Sequence, residues 1–141
     1  PSVQRLNSAR GRRFQRNIAT HLRKSGFDVH QVNEIDGFTT GVDLVIFANP
    51  SYALVAIQCK STSTPRDLVK GLDQARRGAP WAKLWVCFHS LLQKNGLRKI
   101  CIAYTDSLLG KENICADLSW SGIVLKLRAS CQAYRPNPGG K

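Results

Sequence analysis

Asp43, Gln58 and Lys60 stand out from two segments that are otherwise almost wholly apolar, 41–47 (GVDLVIF) and 52–60 (YALVAIQCK). Both segments are rich in β-branched and aromatic residues. Asn49-Pro50-Ser51 between them is a turn signal, so they read as a pair of strands. Side chains alternate faces along a strand, which puts Gln58 and Lys60 on one face and sets Asp43 opposite to Val42, Leu44 and Ile46. A carboxylate, a carbonyl-bearing amide and an ammonium then converge: two oxygen donors and a positive charge. A single polar residue in a strand commonly just faces water, and Asp followed at a distance by Gln-x-Lys arises often by chance. Here the strands are so apolar that the three residues are exceptions needing a reason.

The elements that must position them are legible in outline. Asn7 or Ser8 can cap a helix that runs to about Ser25, with Gly26 in the left-handed closing position. At about 100° per residue, Gly11, Phe14, Ile18 and Leu22 form its buried stripe, and Arg12, Arg13, Arg16 and Arg23 fall on the far side. Gln15 lies about 40° from the centre of that stripe, so its amide needs partners or a wet pocket; it either serves the site or ties off a strand end. Residues 27–32 read as a short strand, and 33–40 as a polar loop holding Glu34, Asp36, Thr39 and Thr40.

After the strand pair, Pro65 at a first helical position and Asp67 three residues after Thr64 make a start resembling a capping box. This helix is expected to turn Leu68, Val69, Leu72 and Ala75 inward and Arg66, Lys70, Gln74, Arg76 and Arg77 outward, stopping at Gly78-Ala79-Pro80. Strands at 83–89 and 98–105 follow, joined by a turn with Asn95-Gly96. Residues 106–120 are ambiguous, with a helical turn around Leu108-Leu109, and 122–128 reads as one more strand. The expectation is an α/β fold, a mixed central sheet with a helix packed on each side. Residues 1–7 would be a flexible basic arm, 8–130 a single domain, and 131–141 a loose basic tail.

The chain has 141 residues, a length suited to one domain, and its 43% hydrophobic content excludes a disordered protein. No apolar run approaches the ~20 residues that span a bilayer, and the opening is polar and basic, unlike a signal peptide; a soluble, intracellular protein is expected. Twenty-one Lys and Arg oppose nine acids for a net charge of +12, which favours polyanionic partners. Residues 1–27 carry Arg5, Arg10, Arg12, Arg13, Arg16, Arg23 and Lys24 and no acid. These stretches lack the bulky apolar face of a membrane-surface helix, so nucleic acid is the better partner. The five cysteines are scattered and odd in number, which indicates neither a zinc site nor a disulfide framework.

Taken in order along residues 8–90, the motifs resemble the PD-(D/E)XK nuclease superfamily, and within it the archaeal-type Holliday junction resolvases. Residues 11–18 (GRRFQRNI), Leu22 and 26–29 (GFDV) look like that family's first helix and strand. Gly41-Val42-Asp43 stands at its Pro-Asp, and 56–62 (AIQCKST) at its Glu-x-Lys strand followed by Ser-Thr. Two positions depart: Gln15 and Gln58 replace glutamates, and the second substitution occurs in restriction-type nucleases of this fold. The resemblance implies a restriction-endonuclease-like αβββαβ core and Mg²⁺-dependent cleavage of DNA, with Mn²⁺ as an alternative ion. Asp43 would be the principal ligand, with the Gln58 side-chain oxygen and the Cys59 main-chain carbonyl beside it, while Lys60 and Gln15 complete the catalytic set. Glu34 or Asp36 could supply a further carboxylate. Arg10, Arg12, Arg13, Arg16, Thr39, Thr40, Arg66, Lys70, Arg76 and Arg77 would contact DNA. Three functions are implied: a homodimeric four-way-junction resolvase, a restriction-type nuclease on linear duplex, and a degenerate nuclease fold kept for DNA binding.

Overall fold

The β-branched runs noted above assemble into one five-stranded sheet. In the computed structural model, which describes residues 2–32, 42–62, 67–107 and 118–134, the chain runs α1 (Ser2–Lys24), β1 (Asp28–Gln31), β2 (Leu44–Asn49), β3 (Tyr52–Thr62), α2 (Asp67–Gly78), β4 (Leu84–Leu92), β5 (Arg98–Asp106) and α3 (Trp120–Ala133). The strands lie in chain order across the sheet. β1, β2 and β3 form an antiparallel meander, β3 and β4 are parallel, and β4 and β5 are antiparallel. Only the parallel step needs a crossover, and α2 supplies it.

Two apolar clusters hold the layers together. On one face, Ile18, Ala19 and Leu22 of α1 and Ile123, Leu127 and Cys131 of α3 pack against Leu44, Ile46, Ile57, Val86 and Phe88. On the other, Leu72 and Ala75 of α2 cover Val45, Ala56, Trp85 and Cys87. β4 is therefore buried without a break from Leu84 to Ser90, as expected for a strand covered on both sides. The approach of α2 is close. A Cβ at Gly71 would collide with Cys87 Sγ, so only glycine allows this spacing.

Turns and caps follow local chemistry. Gly26 adopts φ 95° and closes α1. Asn49 Oδ1 accepts from Ser51 N–H (3.0 Å) and Ser51 Oγ–H (2.9 Å), stabilising the β2–β3 turn. Gly96 at φ 84° and Asn95 Oδ1, which accepts from Leu97 N–H at 3.0 Å, shape the β4–β5 turn.

The α/β layering and the αβββαββ order expected from the sequence are present, with differences that have local causes. The segment 122–128 is helical, not a strand. Ser119 Oγ accepts from Gly122 N–H at 3.0 Å, capping a helix whose buried residues Ile123, Val124, Leu127 and Cys131 recur at helical spacing. The β-branched Ile123-Val124 mimics a strand only over a short window. On its other side α3 is tied to β5 by a Lys126–Asp106 ion pair of 3.2 Å. α1 begins at Ser2, so the stretch read as an arm is helical. Val69 is 52% exposed, not inward, because Gly71, Leu72 and Ala75 take the packed face of α2. Val42 joins the cluster of Val45 and not that of Leu44 and Ile46, since β2 starts only at Leu44 and strict alternation fails before it. The turn expected at Leu108-Leu109 lies outside the described residues.

Removing the α3 anchor tests this account. Leu127→Ala should destabilise the protein by roughly 2–5 kcal/mol and Ser119→Ala by about 1 kcal/mol, read from denaturant unfolding. A near-neutral Leu127→Ala would mean that α3 is not part of the core.

Candidate active site

α1, β2 and β3 come together at one end of the sheet, where the β2–β3 ladder ends at the pair Leu44 and Ile57. Asp43 stands where the strands part, and each of its polar groups is anchored. Its N–H donates to the Ile57 carbonyl (2.9 Å), and its own carbonyl accepts from Val32 N–H (3.0 Å). Its carboxylate Oδ2 accepts from Cys59 N–H at 2.8 Å. A side-chain oxygen thus replaces the main-chain carbonyl that a longer ladder would supply. In an antiparallel pair a residue's N–H and C=O face the same neighbour, so the Cys59 carbonyl opens onto this gap as well.

Gln58 is 9% exposed, and its Oε1 is buried with no hydrogen-bond donor among the described residues. Its burial is a consequence of α2: the same Gly71 that admits Cys87 Sγ would place a Cβ 3.7 Å from Gln58 Cγ. An unsatisfied buried amide oxygen costs about 1–3 kcal/mol, and a site built to receive a ligand is one reason to bear it. Lys60, two residues along, shares this face and is half-buried. It lies close enough to Asp43 to favour the carboxylate. Burial nonetheless dominates, and the Asp43 pKa is raised against the opposing pull of the Cys59 N–H and the Lys60 charge. The Cys59 thiol is pushed well above its ordinary range, by burial first and then by Asp43 and Cys87, so the thiol stays protonated.

Gln15 reaches the same corner from α1. Its Nε2 donates to Gln31 Oε1 (3.4 Å) and to the Asp43 carbonyl (3.5 Å), both long contacts. It therefore meets the Asp43 main chain and not the carboxylate. Among the described residues, no three His, Cys, Asp or Glu side chains are grouped to hold a metal by themselves. The donors that the described residues offer are the Asp43 carboxylate, the orphaned Gln58 Oε1 and the Cys59 carbonyl. They fit a hard ion such as Mg²⁺, which takes one or two carboxylates and completes its shell with water and substrate phosphate.

The basic residues divide between the two faces. Arg12, Arg13 and Arg16 are exposed on α1, and Lys70 and Arg77 on α2. Arg76 is half-buried, with its guanidinium 5.7 Å over the Trp85 ring, and is not simply outward. Arg10 belongs to α1. Glu34, Asp36, Thr39, Thr40 and Arg66 lie outside the described residues. One residue that sequence reasoning passed over is His89, fully buried on β4 in register with Lys60 and therefore on the same face. Its signal was available, a polar residue in an apolar strand, but its neighbour was not.

Because the Asp43 pKa is raised in the folded state, the native protein binds that proton more tightly than the unfolded chain. Its contribution is full below the ordinary carboxylate pKa and is lost as pH rises through the folded value. Asp43→Asn, which can still accept from Cys59 N–H, should therefore raise the melting temperature at pH 7 in the absence of divalent ions. The gain should shrink towards pH 4. Thermal melts across this range check it, and a mutant that is less stable at pH 7 would contradict the burial argument.

A family model described as restriction endonuclease matches residues 6–95. The match covers more than half of the chain and takes in α1 to β4 with Gln15, Asp43, Gln58 and Lys60. No curated protein and no solved structure matches the chain. The matched family is one of restriction endonucleases; the likeness to junction resolvases rests on the short motifs alone. With this match laid over the Asp43–Gln58–Lys60 corner, the chain belongs to the restriction endonuclease family, a branch of the PD-(D/E)XK nuclease superfamily.

Proposed function

We propose that this chain is a Mg²⁺-dependent endonuclease that hydrolyses phosphodiester bonds in duplex DNA. The reading is supported by the gap between β2 and β3, where the Asp43 carboxylate accepts from Cys59 N–H and lies near the Lys60 charge, with the unpartnered Gln58 Oε1 two residues before Lys60 on the same face of β3. The residues that would hold the ion are Asp43, through the oxygen not bonded to Cys59, the Gln58 side chain and the Cys59 carbonyl. A bound Mg²⁺ or Mn²⁺ there would supply an activated water and neutralise charge on the phosphate. Lys60 donates to the attacking water or to a phosphate oxygen. Gln15 steadies the Asp43 main chain, and the Cys59 N–H fixes the carboxylate. The exposed arginines of α1 and the cations of α2 hold backbone phosphates on either side.

The order of motifs from α1 to β3 favours a second reading, a homodimer that resolves four-way junctions, since symmetric cleavage needs two sites. One gel separates the readings, with a junction and a linear duplex of equal length, each with and without Mg²⁺. Cutting of duplex supports the restriction-type reading and cutting of the junction alone the resolvase. Binding without cutting of either means that the two glutamines have left a DNA-binding fold.

Asp43→Asn should abolish cleavage and leave DNA affinity within a few-fold, and Lys60→Ala should lose at least ~100-fold in rate. Gln58→Ala should be much weaker than wild type. Gln58→Glu should match or exceed it at lower Mg²⁺, because a carboxylate adds charge at the ion. A fully active Asp43→Asn or an unaffected Gln58→Ala would sink the assignment of that residue.

Replacing Arg12, Arg13 and Arg16 together by Ala should weaken binding to any DNA. It should also flatten the log–log salt dependence by about two to three units, at about 0.9 per phosphate contact. An unchanged slope would place the DNA path elsewhere.

A further inference from the structure

The β4–β5 hairpin leaves the sheet at the same end as the Asp43 corner. Lys60 is in register with His89, and the β4–β5 ladder runs on to the pair Leu92 and Arg98, past the last β3 partner at Leu91. At about 3.3 Å per residue the hairpin tip, Asn95-Gly96, lies roughly 15–20 Å beyond the level of Lys60. The tip is closed by its own groups: Gln93 N–H donates to the Leu97 carbonyl (2.8 Å), Gly96 N–H to the Gln93 carbonyl (3.0 Å), and Gly96 takes φ 84°. Arg98 braces the root, because its Nη1 donates to the Ser90 carbonyl (3.0 Å) and to Ser61 Oγ (3.2 Å). The ribbon is therefore built before any partner arrives, and binding through it costs little ordering.

What the ribbon displays is unusual for a solvated turn. Leu92 (45%), Leu97 (65%) and Ile100 (46%) are exposed within nine residues, beside exposed Lys94, Arg98 and Lys99. Alternation and register put Leu92, Arg98 and Ile100 on one face and Lys99 on the other, the face of Gln58 and Lys60, so cations flank the apolar tip on both sides. The sequence holds no acid from Gln74 to Thr105, and Lys94 and Lys99 make no ion pair among the described residues. A second copy docking here would bring the same cations against these, whereas a polyanion answers them. Width selects the groove. The major groove, about 12 Å across, admits a two-stranded ribbon, and the minor groove, about 6 Å, does not. The thymine methyl, an apolar group that Leu97 can meet, faces the major groove alone.

We propose that the β4–β5 hairpin enters the major groove of the bound duplex, with Lys94 and Lys99 on the flanking phosphates and Leu97 against the base edges. The proposal rests on the nuclease reading for its substrate, and binding measured without cleavage keeps the two apart. Anisotropy is followed against salt, in chelator, on a linear duplex made with thymine and on the same sequence made with uracil; cleavage is assayed separately in Mg²⁺. Lys94→Ala combined with Lys99→Ala should weaken binding at least roughly tenfold and flatten the log–log slope by about two units, at about 0.9 per contact. Lys83→Ala, which removes a cation at the opposite end of β4, should leave the slope unchanged. Leu97→Ala should keep the slope, bind the thymine duplex several-fold more weakly, and lose the wild type's preference for thymine over uracil. Lys94, Leu97 and Lys99 are exposed, so these variants should fold, and melting temperatures matching the wild type check it. A wild-type slope in the folded double variant, or equal affinity of the wild type for the two duplexes, overturns the groove contact even if the wild type cuts DNA. So does a dimer that Leu97→Asn turns into monomers in sedimentation with DNA binding unchanged, since the patch then joins two copies. The expected changes in a wild type that never cuts uphold the hairpin contact and overturn the nuclease reading alone.

Discussion

A 2.8 Å hydrogen bond from the Cys59 N–H to the Asp43 carboxylate decides where β2 and β3 stop being a ladder. Short of it, main-chain groups pair and side chains fill two apolar clusters. Beyond it, a carboxylate has taken the place of a carbonyl and the strands part. The Cys59 carbonyl and the second Asp43 oxygen are left facing the gap. Because the carboxylate is bonded by a main-chain N–H, its position is set by the backbone of β3 and not by a rotamer of its own. Placement of the neighbouring Gln58 and Lys60 then follows from alternation along the same strand.

The second constraint is pressure from α2. Gly71 lets the helix settle against Cys87, and this seals Gln58 from water while leaving its oxygen unpaired. Burial also makes Asp43 a reluctant anion, a cost that Lys60 only partly offsets. Corners of this sort lower stability in exchange for chemistry. The rest of the molecule can bear it because both faces of the sheet are covered, and β4 is buried throughout its core-spanning part.

How much could be read beforehand depended on range. Asp43, Gln58 and Lys60 were visible because each interrupts an apolar strand, and Gly26 and the end of α2 at Gly78 because their end signals are local. Gln15 was visible as a polar residue at the margin of an apolar stripe, although its contact with the Asp43 main chain was not. The helix at 120–133 was missed because Ile123-Val124 favours a strand over a few residues, whereas Ser119 and the spacing out to Cys131 speak for a helix only over the longer window. Nothing local encodes the register of two parallel strands separated by a helix. The proximity of His89 to Lys60, and of Ser90 to Ser61, therefore exists only in the folded sheet.

The sheet order has one more consequence. Among the described residues β1 and β5 are its outer strands, and each has a feature that disfavours a further strand. β1 has four residues and carries the Asp28–His30 pair, and β5 starts with Arg98 and Lys99 in its most exposed stretch. Short or cationic borders discourage edge-to-edge growth of sheets. Charge and shortness at the two borders therefore work against a sixth strand donated by another chain.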